Sequence, residues 1–143
     1  MNQSTLTDVA HVIQLSVAPV FLLTSVGTIL AVLSTRLGRI VDRARVLRDR
    51  LPKLPADETE ALKGELHLLA NRRHLVNLAI TAGVCAALFV CMLIAVAFIG
   101  SVLGVNTSVA VATMFIAAMV AFVVALLLFL REVLLAVASV RIE

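Results

Sequence analysis

Three long apolar runs set the plan of this chain. They cover residues 12–34, 75–100 and 108–130, and none contains Asp, Glu, Lys or Arg. A helix rises about 1.5 Å per residue, so about 20 apolar residues cross a hydrocarbon core of about 30 Å. Each run is long enough, which predicts three transmembrane helices. Pro19 lies early in the first run and brings no backbone N–H, so a kink or a fresh helical turn is expected there. Between the second and third runs stands SVLGVNT, residues 101–107, uncharged and with Gly104 and Asn106 as turn formers. A connection that short makes an antiparallel helical pair. The opening MNQSTLTDVAH holds no Lys or Arg, and the run after it exceeds a usual signal-peptide core, so the first run reads as a retained span.

The pattern changes between residues 35 and 74. Leu37, Ile40, Ala44, Leu47 and Leu51 recur at spacings of 3 and 4, the seam of a helix that packs on another helix. Arg36, Arg39, Asp42, Arg43, Arg45, Arg48, Asp49 and Arg50 fall outside that seam. One helix is therefore expected from about Pro19 to Arg50. Pro52 and Pro55 end it, and Asp57 with Glu60 three residues later has the form of a capping box for the returning helix. Leu62, Leu66 and Leu69 give that helix a seam of its own, so the two arms zip as an antiparallel pair. The tail, residues 131–143, opens with Arg131 and Glu132 and is apolar again from Val133 to Val140. It is expected to extend the third helix over the hairpin seam, in the same subunit or a neighbour, with Glu132 paired to Arg36 or Arg73. An unpaired acid at a membrane boundary is costly. The fold class is thus all-α: one membrane domain over residues 1–143, with three transmembrane helices and a helical hairpin, 35–74, continuing the first two.

Composition supports lipid as the solvent. Hydrophobic residues make up 62% of the chain, against about 45–50% in soluble domains. Trp and Tyr are absent, so no interfacial aromatic belt marks the membrane depth. The net charge is +3, yet ten of the twelve Lys and Arg lie between Arg36 and Arg73. A basic cluster can signal nucleic acid. Between two spans, the positive-inside rule explains it with less, and no nucleic-acid partner is expected. The same rule puts the hairpin in the cytoplasm, the N-terminus outside, and the C-terminal tail with Arg131 and Arg141 inside.

Chemistry-bearing constellations are missing. No Gly-rich phosphate loop, nucleophile elbow, HExxH or CxxC spacing occurs, so no enzyme activity and no cofactor are expected. Cys85 and Cys91 are six residues apart in one apolar run. That places them on separated sides of a helix, where they read as lipid-facing or packing residues. His11, His67 and His74 are dispersed, which does not suit a metal site.

The first span carries the one pattern of functional interest. At 100° per residue, Gln14, Ala18, Phe21, Ser25, Thr28, Val32, Thr35 and Arg39 share a face. The stripe is small or polar except at Phe21 and Val32, and it ends at arginines. Three helices of one chain cannot enclose a useful water path, but several copies in a ring can. Phe21 and Val32 would then be hydrophobic constrictions. The rival reading is packing: Ser and Thr in membrane helices bond back to the chain or glue helices together. Thr24, Ser25, Gly27, Thr28 and Ala31 also form a small-residue face. Asn77 and Thr81 share a face near the start of the second span, placed to bond to the first span or to widen a mouth. Arg43, Arg45, Arg48, Arg72 and Arg73 form a basic surface, read as a solvated helix face or as a contact for anionic lipid or an acidic partner.

Several stretches resemble a known family. Ile13-Gln14-Leu15, Ala18-Pro19-Val20-Phe21-Leu22-Leu23-Thr24, then Arg36-Leu37 and Arg39-Ile40-Val41-Asp42-Arg43-Ala44-Arg45, with Arg72-Arg73 before the second span, resemble the bacterial family of unknown function numbered 2721. The resemblance implies a small multi-pass protein of the bacterial inner membrane and carries over no activity and no site residues. From the residues themselves, the preferred function is a homo-oligomeric pore or channel for small ions. The alternative is a structural or regulatory membrane protein whose basic hairpin docks a cytoplasmic partner or anionic lipid.

Overall fold

The structure is a computed structural model that describes residues 3–140, so the N-terminus and Arg141, used above for sidedness, lie outside the described residues. Three α-helices follow one another: α1 over Gln3–Arg50, α2 over Ala56–Leu103 and α3 over Ser108–Val140. A 3-10 turn over Leu51–Lys53 follows α1. All three helices are long and apolar enough to cross a membrane, and the described residues contain no strand. The chain is a multi-pass, all-α membrane protein.

Two compact units form. One comprises the chain up to Leu30 with Ala82–Val124; the other comprises Ala31–Thr81 with the chain from Ala125 onward. In the first, Pro19 and Val26 of α1 are buried, as are Gly83, Ala86, Val90 and Leu93 of α2 and Ala118 of α3. In the second, Leu33, Ile40 and Leu47 of α1 are buried with Leu69, Val76 and Ala79 of α2 and Ala125 and Glu132 of α3. Within each helix these positions recur every seven residues: 19, 26, 33, 40, 47 on α1; 69, 76, 83, 90 on α2; 118, 125, 132 on α3. A seven-residue repeat is the signature of helices packed along a coiled-coil seam.

The two units use the seam differently. In the span segments the columns include Gly83, Ala79, Ala86, Ala118 and Ala125 beside Val and Leu, and Gly83 is so close to α1 that a Cβ there would lie 2.9 Å from Leu30 Cδ2. Close backbone approach is how membrane helices gain van der Waals contact when lipid offers no hydrophobic drive. In the charged hairpin the columns hold Leu and Ile, where burying one side chain contributes about 1.5–3 kcal/mol. Leu47 is buried and Ala44 half-buried, while Arg45 and Arg48 are exposed.

Three local expectations are corrected. First, α1 starts at Gln3, well before the first apolar run, and Pro19 lies inside it. The proline is buried in the α1 column. Second, Asp57 is not an N-cap. The first bond of α2 runs from the Thr59 N–H to the Pro55 carbonyl at 3.2 Å, and the Thr59 hydroxyl donates to the same oxygen at 3.0 Å. Asp57 and Glu58 sit in the first turn, where acids favour the positive end of the helix dipole. Third, the connection between the second and third spans is shorter than residues 101–107, because α2 runs to Leu103. Gly104 adopts φ +67°, and the Val105 N–H donates to the Gly100 carbonyl at 3.0 Å, a Schellman closure. Asn106 Oδ1 then accepts from the Ser108 N–H at 3.0 Å and its hydroxyl at 2.6 Å, which starts α3.

Candidate functional site

The polar stripe of α1 lies away from its buried column. Gln14, Ala18, Phe21, Ser25, Thr28, Val32, Thr35 and Arg39 are all exposed, with Phe21 71% accessible. Thr24, Gly27 and Ala31, the small residues beside them, are exposed too. The chain therefore does not use this face to pack on itself. Four hydroxyls are nonetheless satisfied within the helix. Those of Thr24, Ser25, Thr28 and Thr35 donate to the carbonyls four residues earlier at 3.1, 3.1, 3.1 and 3.0 Å. The Gln14 amide makes no hydrogen bond among the described residues. Thr81 also bonds back, to the Asn77 carbonyl at 2.9 Å, so this pair reaches neither α1 nor α3.

The charged end of the spans is built around one acid. Glu132 is fully buried. Its Oε2 accepts from Arg36 Nη1 at 2.6 Å, and its Oε1 accepts from Arg72 Nη2 at 2.9 Å and Nε at 3.3 Å. Arg36 also lies over the Phe129 ring, 5.3 Å from its centroid, a cation–π contact. Glu132 thus has the Arg36 partner expected for it, but the second partner is Arg72 and not Arg73, which is exposed. The signal was in the register. Arg72 stands seven residues before Ala79 and Glu132 seven after Ala125, both buried, so both side chains point inward. Two guanidinium groups on one carboxylate answer the desolvation that a lone buried acid would suffer.

Of the basic surface, Arg43, Arg45, Arg48 and Arg73 are exposed and Arg72 half-buried. Arg43 holds Glu65 Oε1 through Nε at 3.1 Å and Nη2 at 2.9 Å, an ion pair between α1 and α2 that sequence spacing did not reveal. In the unit formed by the chain up to Leu30 and Ala82–Val124, an open cleft of about 750 Å³ includes Asp8, His11, Ser16, Ser101, Asn106 and Phe115 among its lining residues. Cys85 and Cys91 are exposed free thiols, and His11, His67 and His74 are exposed.

Residues 16–142 match the family described as "Protein of unknown function (DUF2721)". The chain belongs to this family. No curated protein and no solved structure matches it.

Proposed function

We propose that this family member assembles as a ring of identical subunits and conducts small ions, with the stripe of α1 lining the path. The observation that carries the reading is the exposure of that stripe on a helix long and apolar enough to cross a membrane. In lipid, an unsatisfied polar group costs several kcal/mol, so polar faces seek protein or water. Gln14 heads the stripe and Arg39 ends it, with Phe21 and Val32 as the two apolar rings a gate by dewetting requires. The hairpin is then cytoplasmic by the positive-inside rule, and its arginines raise the local concentration of anions at the inner mouth.

A second reading rests on the hydroxyls. Because Thr24, Ser25, Thr28 and Thr35 are bonded to their own helix, they need no water, and the face serves equally as a packing surface. The protein would then be a scaffold or regulator whose basic hairpin meets a cytoplasmic partner. Particle images of the full chain in detergent separate the two. A ring with α1 around a central axis supports the pore. A monomer or dimer with Ser25 and Thr28 packed against protein supports the scaffold and ends the pore reading.

A further inference from the structure

Four arginines line one cavity within the unit of Ala31–Thr81 and the chain from Ala125. The cavity measures about 260 Å³ and is lined by Arg36, Arg39, Arg43 and Arg72, with Ile40 and Leu69. Arg36, Arg39 and Arg43 follow at spacings of three and four along α1, which stacks them on one helix face. Arg72 reaches in from α2. Carboxylates balance only part of this charge. Glu132 serves Arg36 and Arg72, and Glu65 serves Arg43. Arg39 has no carboxylate at ion-pair distance among the described residues. Four cations less two anions leave two positive charges at the cavity.

We infer that this cavity binds a phosphate group of net negative charge, presented either by an anionic phospholipid head group or by a soluble phosphate. Guanidinium forks match phosphate oxygens in pairs, and Arg is the residue suited to that geometry. Each carries five N–H donors, and the carboxylates occupy only some of them. Nε and Nη2 of Arg36, Nη1 of Arg43, Nη1 of Arg72 and the whole of Arg39 remain for a ligand. The buried acid holds Arg36 and Arg72 in place beforehand, with Phe129 as a second brace on Arg36. A ligand therefore loses less by ordering them. A single water needs about 10–15 Å³ of such space, so the volume admits a phosphate with the start of its ester. Ile40 and Leu69 supply an apolar wall for that ester.

Position favours the head group as the source. Arg36 stands two residues after the first apolar run, and Arg72 three residues before the second. Arginines at that level face the phosphate layer of a bilayer, where each basic residue near an anionic surface contributes about 1 kcal/mol. The inference does not depend on conduction: its readout is binding.

The test uses the full chain in detergent, followed by native mass spectrometry and by thermal melting. Phosphatidylglycerol, phosphatidylcholine and inorganic phosphate are titrated separately. Arg39→Gln removes the cation that pairs with no acid and so leaves the Glu132 cluster intact. Arg48→Gln removes an equal charge from an exposed position of the same helix outside the cavity. Loss of one charge-assisted contact predicts about tenfold weaker binding in Arg39→Gln and no change in Arg48→Gln. Saturable retention of phosphatidylglycerol over phosphatidylcholine, lost in Arg39→Gln, supports the site with lipid as its source. Saturable stabilisation by inorganic phosphate alone, lost in the same variant, supports it with a soluble source. Phosphatidylcholine carries the same phosphate with its charge cancelled by choline. Equal weakening in both variants, or no preference for phosphatidylglycerol or inorganic phosphate over it, therefore overturns a site that reads net negative charge.

Discussion

Arg36 and Glu132 are 96 residues apart in the chain, and their side chains meet at 2.6 Å. That contact, with Arg72 on the other carboxylate oxygen, ties α1, α2 and α3 at a single buried point. Removing one member of a buried ion cluster leaves the others charged and unmatched, at a cost of about 3–5 kcal/mol. Glu132→Ala is therefore expected to lower the melting temperature of the detergent-solubilised protein sharply. Arg73→Ala, at the exposed neighbour, is expected to leave it nearly unchanged. Equal melting of the two variants would show that the cluster does not hold the helices.

Leu47 and Arg48 are adjacent but face different surroundings. Leu47 is 3% exposed, so Leu47→Ala should cost about 2–5 kcal/mol, and Leu47→Asp more, because a charge would enter an apolar contact. Arg48→Asp should be mild. Melting curves of the three variants check the seam, and a Leu47→Asp protein as stable as Arg48→Asp would remove it.

Gly100 and Gly38 make a matched pair for backbone effects. A Cβ on Gly100 would lie 2.5 Å from both Cγ2 and Oγ1 of Thr107, whereas one on Gly38 meets nothing within 4 Å. Gly100→Ala should destabilise the α2–α3 turn. Gly38→Ala should stabilise α1 by about 0.5–1 kcal/mol, since Gly weakens helix interiors by that amount. Chemical denaturation or melting of both variants reads the sign directly.

Sidedness and conduction are checked by two further experiments. With Cys85 and Cys91 replaced by serine, a cysteine at position 105 should react with an impermeant reagent in intact cells and one at position 57 should not; the reverse pattern would invert the proposed orientation.

In a reconstituted bilayer, Ser25→Leu should reduce conductance and Arg39→Glu should shift its ion preference. Absence of conductance under any voltage or gradient, with Ser25 packed against protein, would leave the scaffold reading.

Much of this fold was legible because its periods are long and regular. The apolar runs had no charge to interrupt them, and Leu37, Ile40, Ala44, Leu47 and Leu51 marked their seam by spacing alone. The missed features have separate causes. Telling Arg72 from Arg73 required the seven-residue register of α2 to be carried from Ala79 into the charged segment. The start of α1 was missed because Gln3 to Asp8 is polar, and its helicity is inherited from the apolar helix that follows. Asp57 was misplaced because an acid suits both an N-cap and a first turn, and only the Thr59–Pro55 bond decides between them. The stripe on α1 could be drawn by projection, since it needs one helix. The convergence of Arg39 with Arg72 could not, since it needs the contact between two.

The closed turn at Gly104 bears on how such a chain enters a bilayer at all. Its four residues, Gly104 to Thr107, carry no charge, and the Schellman bond and the Asn106 side chain already satisfy backbone groups that lipid would leave bare. The connection at the other end of α2 brings Lys53 with it, with Arg50 just before and Asp57 just after. Each Lys or Arg carried through the bilayer centre costs about 2.5–3.5 kcal/mol on the insertion scale. On the proposed orientation the small uncharged turn is the end of the α2–α3 pair that crosses the bilayer, and it does so without that cost.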